Sequence, residues 1–362
     1  MQVEQDLDFK SIAKKVIELA DLQPGERVWM LAHPDQYPEF VEPMRRYLSD
    51  AGAMDLGVTS VTDISPASWQ SEFTLGMAGL EGGVLNSYLS DVDLGIMLPG
   101  AIPDDLPYKA MQEVLHSGQS RTIHFHWSGA YDLNQNALVI TPEIDYFYQG
   151  AILGTDYEKL KEAQQTFEDT IREKNVRITT PAGTDVQFRI GSRPVTKQDG
   201  DASMKRSQEA KNLIDREIEI PAGAIRVAPI EESVNGKIAF PDARWSNQEV
   251  KGLLMTIEQG KVVHWVADSG AEGVEAELQS AGDAGRSFRE FAMGLNPMLA
   301  IPDRDPWIPY YGYGSGVVRL SLGDNTELGG AVGGGYVRWN FFPDATVMVG
   351  EEVWVKDGKL MR

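Results

Sequence analysis

Short apolar runs alternate with helical segments in the first half of this 362-residue chain, and this alternation constrains the fold most. The apolar runs predict strands at 28–31, 56–61, 93–98 and 122–126. Apolar residues at helical spacing predict helices at 9–22, 39–51 and 108–116. Alternating strands and helices favour a mostly parallel sheet, because each parallel connection needs a crossover. We expect an α/β domain over residues 1–174.

The pattern changes after a polar helical stretch at 157–174. Two β-rich runs around Pro181-Ala182-Gly183 predict a hairpin over 176–190. β-rich segments then dominate, interrupted by predicted helices at 271–278 and 284–293. We therefore expect an α+β domain over residues 175–362.

Charge and cysteine content exclude several classes of function. The chain has 33 Lys and Arg against 54 Asp and Glu, a net charge of -21. Nucleic acids and anionic membranes need a basic face, so we expect neither as a partner. With no cysteines, disulfides, thiolate metal sites and cysteine nucleophiles are excluded.

The sequence shows neither a membrane-spanning segment nor a secretory signal. No apolar stretch approaches the ~20 residues that a membrane-spanning helix needs. The first residues have neither the basic nor the apolar region of a secretory signal. We expect a cytoplasmic protein.

Four segments in the second half share the order and spacing of a known family. They are IPAGAIRVAPIEESVNG (220–236), FREFAMGLNP (288–297), GVVRLSLGDN (316–325) and GYVRWNFF (335–342). Together they resemble the leucyl aminopeptidase (aminopeptidase T) family, whose scaffold is also related to 2,5-dihydroxypyridine dioxygenases. The resemblance implies an aminopeptidase T-like two-domain fold and a homodimer.

The same resemblance assigns the family's metal ligands to six positions, of which one keeps a suitable side chain. The positions are Ala224, Glu290, Arg319, Thr326, Arg338 and Asn340. A guanidinium has no lone pair to offer a cation. The carboxylate of Glu290 alone does not hold the two divalent ions of a dinuclear peptidase. We expect no metal and no cofactor at this site.

Two arginines and an amide beside a carboxylate fit a small anionic substrate instead. In our leading hypothesis Arg319 and Arg338 anchor the anion, Asn340 orients it, and Tyr313 and Tyr336 wall the pocket. Glu290 then acts as general acid or base, with His264 as a second candidate. This hypothesis describes a metal-independent enzyme for a small carboxylated or amide-bearing substrate, aromatic ones included. Its reaction stays open between hydrolysis of an amide and isomerisation or ring chemistry on a small acid.

Three alternatives stay open. The arginines can replace the charge of missing metals for folding alone, since a buried carboxylate requires a partner. A metal-dependent aminopeptidase can use other ligands, such as Glu290 with His264, or His124 with His126 on one strand face. The chain can also be a catalytically silent scaffold that binds a metabolite or a protein.

Overall fold

The structure is a computed structural model and describes residues 7–60, 91–101, 106–116, 120–125, 127 and 129–361. Its contacts divide the chain into two compact units. Unit 1 comprises residues 1–128, 140–154 and 200–222, and unit 2 comprises residues 129–139, 155–199 and 223–362. Each unit is described by itself below.

The described helices are α1 (Phe9–Ala20), α2 (Val41–Asp50), α3 (Leu106–His116), α4 (Pro142–Gly154), α5 (Tyr157–Ile171), α6 (Met204–Gln208) and α7 (Ala271–Gly285). The first ten strands are β1 (Arg27–Ala32), β2 (Met54–Ser60), β3 (Leu94–Met97), β4 (Arg121–Phe125), β5 (Val176–Thr179), β6 (Asp185–Phe188), β7 (Thr196–Lys197), β8 (Glu217–Ile220), β9 (Ala224–Val227) and β10 (Asn235–Ala239). The others are β11 (Ala243–Trp245), β12 (Gln248–Val250), β13 (Leu254–Glu258), β14 (Lys261–Val266), β15 (Phe288–Gly294), β16 (Val318–Gly323), β17 (Val337–Phe342), β18 (Thr346–Val349), β19 (Glu352–Lys356) and β20 (Lys359–Leu360). None of the helices in the described residues has the length and apolar character needed to cross a membrane.

Unit 1 is built on a five-stranded sheet in the order β2-β1-β3-β4-β8, and every strand pair in it is parallel. The prediction of a parallel sheet in the first half is confirmed. The fifth strand, β8, comes from residues 217–220, so a single cut at residue 174 separates it from the sheet that it completes. The helix predicted at 9–22 is observed as α1, Phe9–Ala20. Asp8 caps its first turn by accepting a hydrogen bond from Ser11 N at 3.0 Å.

Besides the antiparallel pair β11-β12, unit 2 contains two larger antiparallel sheets that share an aromatic core. One has the strand order β14-β13-β10-β6-β5-β18-β19-β20, and the other β17-β16-β15-β9-β7. Phe188 of β6 contacts Phe288 and Phe291 of β15 at ring distances of 6.1 and 5.4 Å. The face of the second sheet that bears Phe288 and Phe291 is called the core face below.

The predicted helix at 284–293 is wrong. Residues 288–294 form β15, the middle strand of the second sheet, and all seven are buried. A strand covered on both faces shows no alternation of apolar and polar residues, so its composition resembles that of a buried helix. Helix α7 instead runs from Ala271 to Gly285, beyond the predicted end at 278.

One buried ion pair supports the parallel sheet from within unit 1. Arg121 of β4 is fully buried and donates to both carboxylate oxygens of Glu26, at 3.0 and 3.1 Å. The same guanidinium also donates to the carbonyl oxygens of Ala20 and Asp93 at 3.3 and 3.2 Å. One side chain therefore ties α1, the start of β1 and the segment before β3 to β4.

We expect Glu26→Gln to lower the free energy of unfolding by about 3 kcal/mol, because it leaves the buried Arg121 charge uncompensated. Chemical denaturation of the full chain measures this loss. The matched control is Glu18→Gln, which breaks an exposed pair with Lys15 on α1 and changes stability by less than about 1 kcal/mol. Equal effects from the two substitutions would contradict the role assigned to Arg121.

Candidate functional site

The candidate site is centred on Glu290, a carboxylate in the middle strand of the second sheet of unit 2. In the strand register, Arg226 of β9 and Arg319 of β16 both lie opposite Ala292, one on each side of β15. Side chains two residues apart on a strand point to the same face, so Glu290 shares the face of Ala292. The face with Arg226, Glu290 and Arg319 is called the arginine face below.

A β-bulge adds a third arginine to this face. The register of β15 against β16 shifts between Phe288 and Glu290, so two residues of β15 oppose one of β16. This shift keeps Phe288 on the core face while Arg289 and Glu290 both turn towards the arginine face. Arg289 Nε lies 3.8 Å from Glu290 Oε2, and Arg289 is 2% exposed.

Each oxygen of Glu290 is occupied by one guanidinium. Arg226 donates to Oε2 from Nε at 3.2 Å and from Nη2 at 3.0 Å. Arg319 donates to Oε1 from Nε at 3.0 Å, with its Nη2 at 2.7 Å from the same oxygen. A second carboxylate, Glu327, accepts from Arg289 and, at 3.4 Å, from Arg226. Three guanidiniums therefore meet two carboxylates in this cluster.

These contacts keep Glu290 ionised. Glu290 is fully buried, and burial alone would raise the pKa of its carboxyl group. The positive charges of Arg226, Arg319 and Arg289 outweigh this effect and hold the pKa well below its ordinary range. The carboxylate is consequently unprotonated at neutral pH and surrounded by cations.

Aromatic side chains cover the Arg319 guanidinium. Its central carbon lies 4.9 Å from the ring of Trp339 and 5.8 Å from the ring of Tyr313. Its Nη1 donates to the carbonyl oxygen of Tyr311 at 3.3 Å. Tyr313 is therefore where the sequence hypothesis needs it, beside Arg319, but Arg319 is 2% exposed and already paired.

Arg338 and Asn340 do not join this cluster, contrary to the sequence expectation. In the register of β17 they lie opposite Leu322 and Leu320, whereas Phe341 lies opposite Arg319. The period of two therefore places Arg338 and Asn340 on the other face of the sheet from Arg319. Asn340 is buried and donates to the carbonyl oxygens of Leu320 and Arg338 at 3.3 and 3.5 Å.

Arg338 belongs to a separate group at the edge of the sheet. It donates to Glu277 Oε1 at 2.8 Å and to the carbonyl oxygen of Arg244 at 2.9 Å. Its guanidinium lies 3.6 Å from the ring centre of Trp245. The hydroxyl of Tyr336 donates to the same Glu277 oxygen at 2.7 Å, so Tyr336 lies with Arg338 and away from Glu290.

The remaining predicted positions also lie apart from Glu290. Ala224 is opposite Gly294, four residues along β15 from Glu290, which corresponds to about 13 Å of strand. Thr326 is exposed, and its hydroxyl donates to Asp324 at 2.6 Å. His264 is exposed on β14, the edge strand of the other sheet, and is not in the cluster.

The histidine pair of the metal alternative is placed only in part. His124 is buried on β4, whereas His126 lies outside the described residues. Glu217 and Glu219 of β8 lie beside His124, and their ligand atoms and its own fall within 4.8 Å of one another. No local pattern indicates this pairing, because β4 and β8 are about 90 residues apart in the chain.

Sequence reasoning also missed Arg226, Arg289 and Glu327. Both arginines stand inside motif segments, and Arg289 directly precedes Glu290. The signal in the sequence was an arginine within an apolar strand segment, which indicates a buried arginine and therefore an anionic partner. Which partner it takes depends on strand register, and the motifs do not contain that information.

A surface pocket of about 300 Å³ lies at the free edge of β17. We call it the β17 pocket, and its walls are Tyr131, Asn134, Gln135, Asn136, Ala243, Arg244, Val337, Arg338, Trp339 and Phe341. Trp339 is shared with the arginine face, because its ring also covers Arg319. The pocket is therefore an accessible space next to the buried cluster.

We expect Glu290→Gln to lower the free energy of unfolding by about 3–5 kcal/mol, because three guanidiniums lose their shared carboxylate. Denaturant unfolding of the full chain is the measurement. Glu249→Gln is the control, since it breaks an exposed pair with Arg244 in the same unit. A Glu290→Gln protein as stable as wild type would show that the cluster is not required for folding.

The difference in stability between wild type and Glu290→Gln depends on pH. The pKa of Glu290 is lowered from its ordinary value of 4.5, so its stabilisation is fully present above that value. Below pH 4.5 the Glu290 carboxylate is protonated in the unfolded protein but not yet in the folded protein. The stability difference between wild type and Glu290→Gln therefore shrinks as pH falls from 4.5 towards the pKa of Glu290 in the folded protein. Unfolding free energies of both proteins between neutral and acid pH test this, and a constant difference would contradict it.

Comparison with known proteins agrees with the fold. No protein-family model and no curated protein sequence matches the chain. Among solved structures, 2,5-dihydroxypyridine dioxygenase from Pseudomonas putida KT2440 superposes with a TM-score of 0.65 at 15% identity, over 98% of this chain and 96% of that one. AmpT from Thermus thermophilus superposes with a TM-score of 0.61 at 15% identity, over 98% of this chain and 100% of that one. The chain therefore shares its fold with these two proteins.

Proposed function

We propose that this chain binds a small planar acid or amide in the β17 pocket, without a metal ion. The observation that carries the proposal is a pair of buried hydrogen-bond donors in the pocket wall. Gln135 Nε2 and Arg338 Nε have no partner among the described residues. A buried donor left unpaired costs about 1–3 kcal/mol, so the pocket favours a ligand that brings acceptor oxygens.

The aromatic wall supports a flat ligand. Tyr131 and Phe341 pack with ring centres 5.0 Å apart, and Trp339 is 38% exposed beside them. Exposed aromatic faces stack on planar molecules and exclude water from the contact. These rings and the two donors together favour an aromatic carboxylate or amide over an aliphatic ligand.

Arg244 supports an anionic ligand. Its side chain is 63% exposed, and its pairing with Glu249 at 3.1 Å is exposed as well. Exposed pairs contribute at most about 1 kcal/mol, so this guanidinium can exchange Glu249 for a bound carboxylate. Guanidinium and carboxylate form paired, charge-assisted hydrogen bonds, which are stronger than neutral ones.

The geometry favours binding over acid–base catalysis at Glu290. Both Glu290 oxygens are held by arginines, and its low pKa prevents it from carrying a proton at neutral pH. In the wall of the β17 pocket, burial also raises the pKa of Tyr131 above its ordinary range. Of the hypotheses drawn from the sequence, a binding scaffold on an enzyme-like fold therefore has the most support.

We expect Gln135→Glu to weaken benzoate binding at least tenfold. In wild type the backbone NH of Phe341 donates to Gln135 Oε1 at 3.2 Å, and the new carboxylate can still accept this hydrogen bond. It replaces the Nε2 donor, however, with an oxygen. It thereby removes a hydrogen bond and adds a repelling charge, each about 1.5–3 kcal/mol for a charged ligand. Benzamide should lose less, because its amide can donate to the new carboxylate. Isothermal titration calorimetry measures both ligands.

Two controls make this test specific. Trp339→Ala should weaken both ligands, whereas Trp265→Ala removes a similar tryptophan–arginine stack elsewhere in unit 2 and should change neither. Treatment with a chelator should leave benzoate binding unchanged, because no pocket residue is a good cation ligand. Benzoate affinity that survives both Gln135→Glu and Trp339→Ala would refute the proposal.

A further inference from the structure

Strand pairing in unit 1 brings a histidine and two glutamates to one place. β4 and β8 are parallel neighbours, and His124 lies directly opposite Glu219 in their register. Glu217 is two residues before Glu219 and thus points to the same face. One ligand atom from each of the three side chains lies within 4.8 Å of the other two.

The three groups are largely shielded from water. His124 is 2% exposed and Glu219 is 9% exposed, while the Glu217 side chain is 19% exposed. His124 Nδ1 lies 3.2 Å from Glu217 Oε1 and 3.4 Å from the hydroxyl of Tyr108 on α3. A cation beside carboxylate groups in a poorly solvated place is favourable, and a divalent ion among these three side chains would supply one.

The donor set selects the class of cation. One imidazole nitrogen with two carboxylate oxygens is a mixed set that suits first-row divalent ions, whereas Ca²⁺ and Mg²⁺ prefer oxygen ligands alone. Ligands of a tetrahedral Zn²⁺ lie about 2.1 Å from the ion and so about 3.4 Å from one another. His124 Nδ1 and Glu217 Oε1, 3.2 Å apart, already lie close to that spacing.

The location in the sheet also fits a ligand site. His124 is the penultimate residue of β4, and Glu219 is the penultimate residue of β8. In open parallel sheets, ligands bind beyond the carboxyl ends of the strands. We propose that His124, Glu217 and Glu219 form a binding site for a first-row divalent cation such as Zn²⁺ or Mn²⁺.

The test is metal titration of the full-length protein after removal of metals with a chelator. Isothermal titration calorimetry with Zn²⁺ and with Mn²⁺ should show one equivalent bound to wild type. Glu217→Gln and Glu219→Gln each keep the side-chain size but remove a charged ligand, and each should weaken binding at least tenfold. Saturating Zn²⁺ should raise the melting temperature of wild type and raise that of the variants less.

The exposed His264 on β14 provides the matched control. His264→Gln removes a histidine that could bind Zn²⁺ non-specifically on the surface, and it should leave the titration unchanged. Circular dichroism of the metal-free variants checks that they fold, and if Glu219→Gln does not, the more exposed Glu217→Gln decides. Wild type that binds neither ion at millimolar concentration overturns the proposal. Undiminished binding by folded Glu217→Gln protein overturns it as well.

Discussion

The carboxylate of Glu290 must be neutralised, and the second sheet of unit 2 is arranged around that requirement. An ionised group in the middle strand of a covered sheet is costly unless cations lie beside it. Arg226 and Arg319 meet this need from the two neighbouring strands, and the bulge in β15 turns Arg289 to the same side. The aromatic cover over Arg319 then keeps water from the pairs, which strengthens them.

The same ion pairs leave Glu290 with a structural role and unsuited to acid–base chemistry. A general acid or base needs a pKa near the working pH and contact with the reacting atom. Glu290 meets neither condition, because its three guanidiniums hold it ionised and nothing of it is exposed. In the part of the chain that the structure describes, Gln135 Nε2 and Arg338 Nε are buried donors without a partner, and both residues line a pocket at the sheet edge.

The sequence predicted the elements that a local pattern determines. It did not predict the contacts that depend on strand register. The strands of the parallel sheet before residue 174 follow from apolar runs, and the motifs single out Glu290 and Arg319, which pair in the structure. Whether Arg338 shares the face of Arg319 depends on a register set by the connection over 324–336, and a shift of one residue reverses the answer. The addition of β8 to the parallel sheet, and with it Glu217 beside His124, is a long-range pairing that no local pattern reports.

Charge also decides where a divalent cation can bind. An ion in contact with Glu290 would lie about 4 Å from guanidiniums, and each would repel it by about 8 kcal/mol at an effective dielectric constant of about 20. A carboxylate already paired with Arg226 and Arg319 does not offset several such repulsions. On β4 and β8, by contrast, two carboxylates and an imidazole lie together. The guanidiniums of Arg226, Arg289 and Arg319 therefore oppose a cation at Glu290, whereas the proposed site in unit 1 has groups that can bind one.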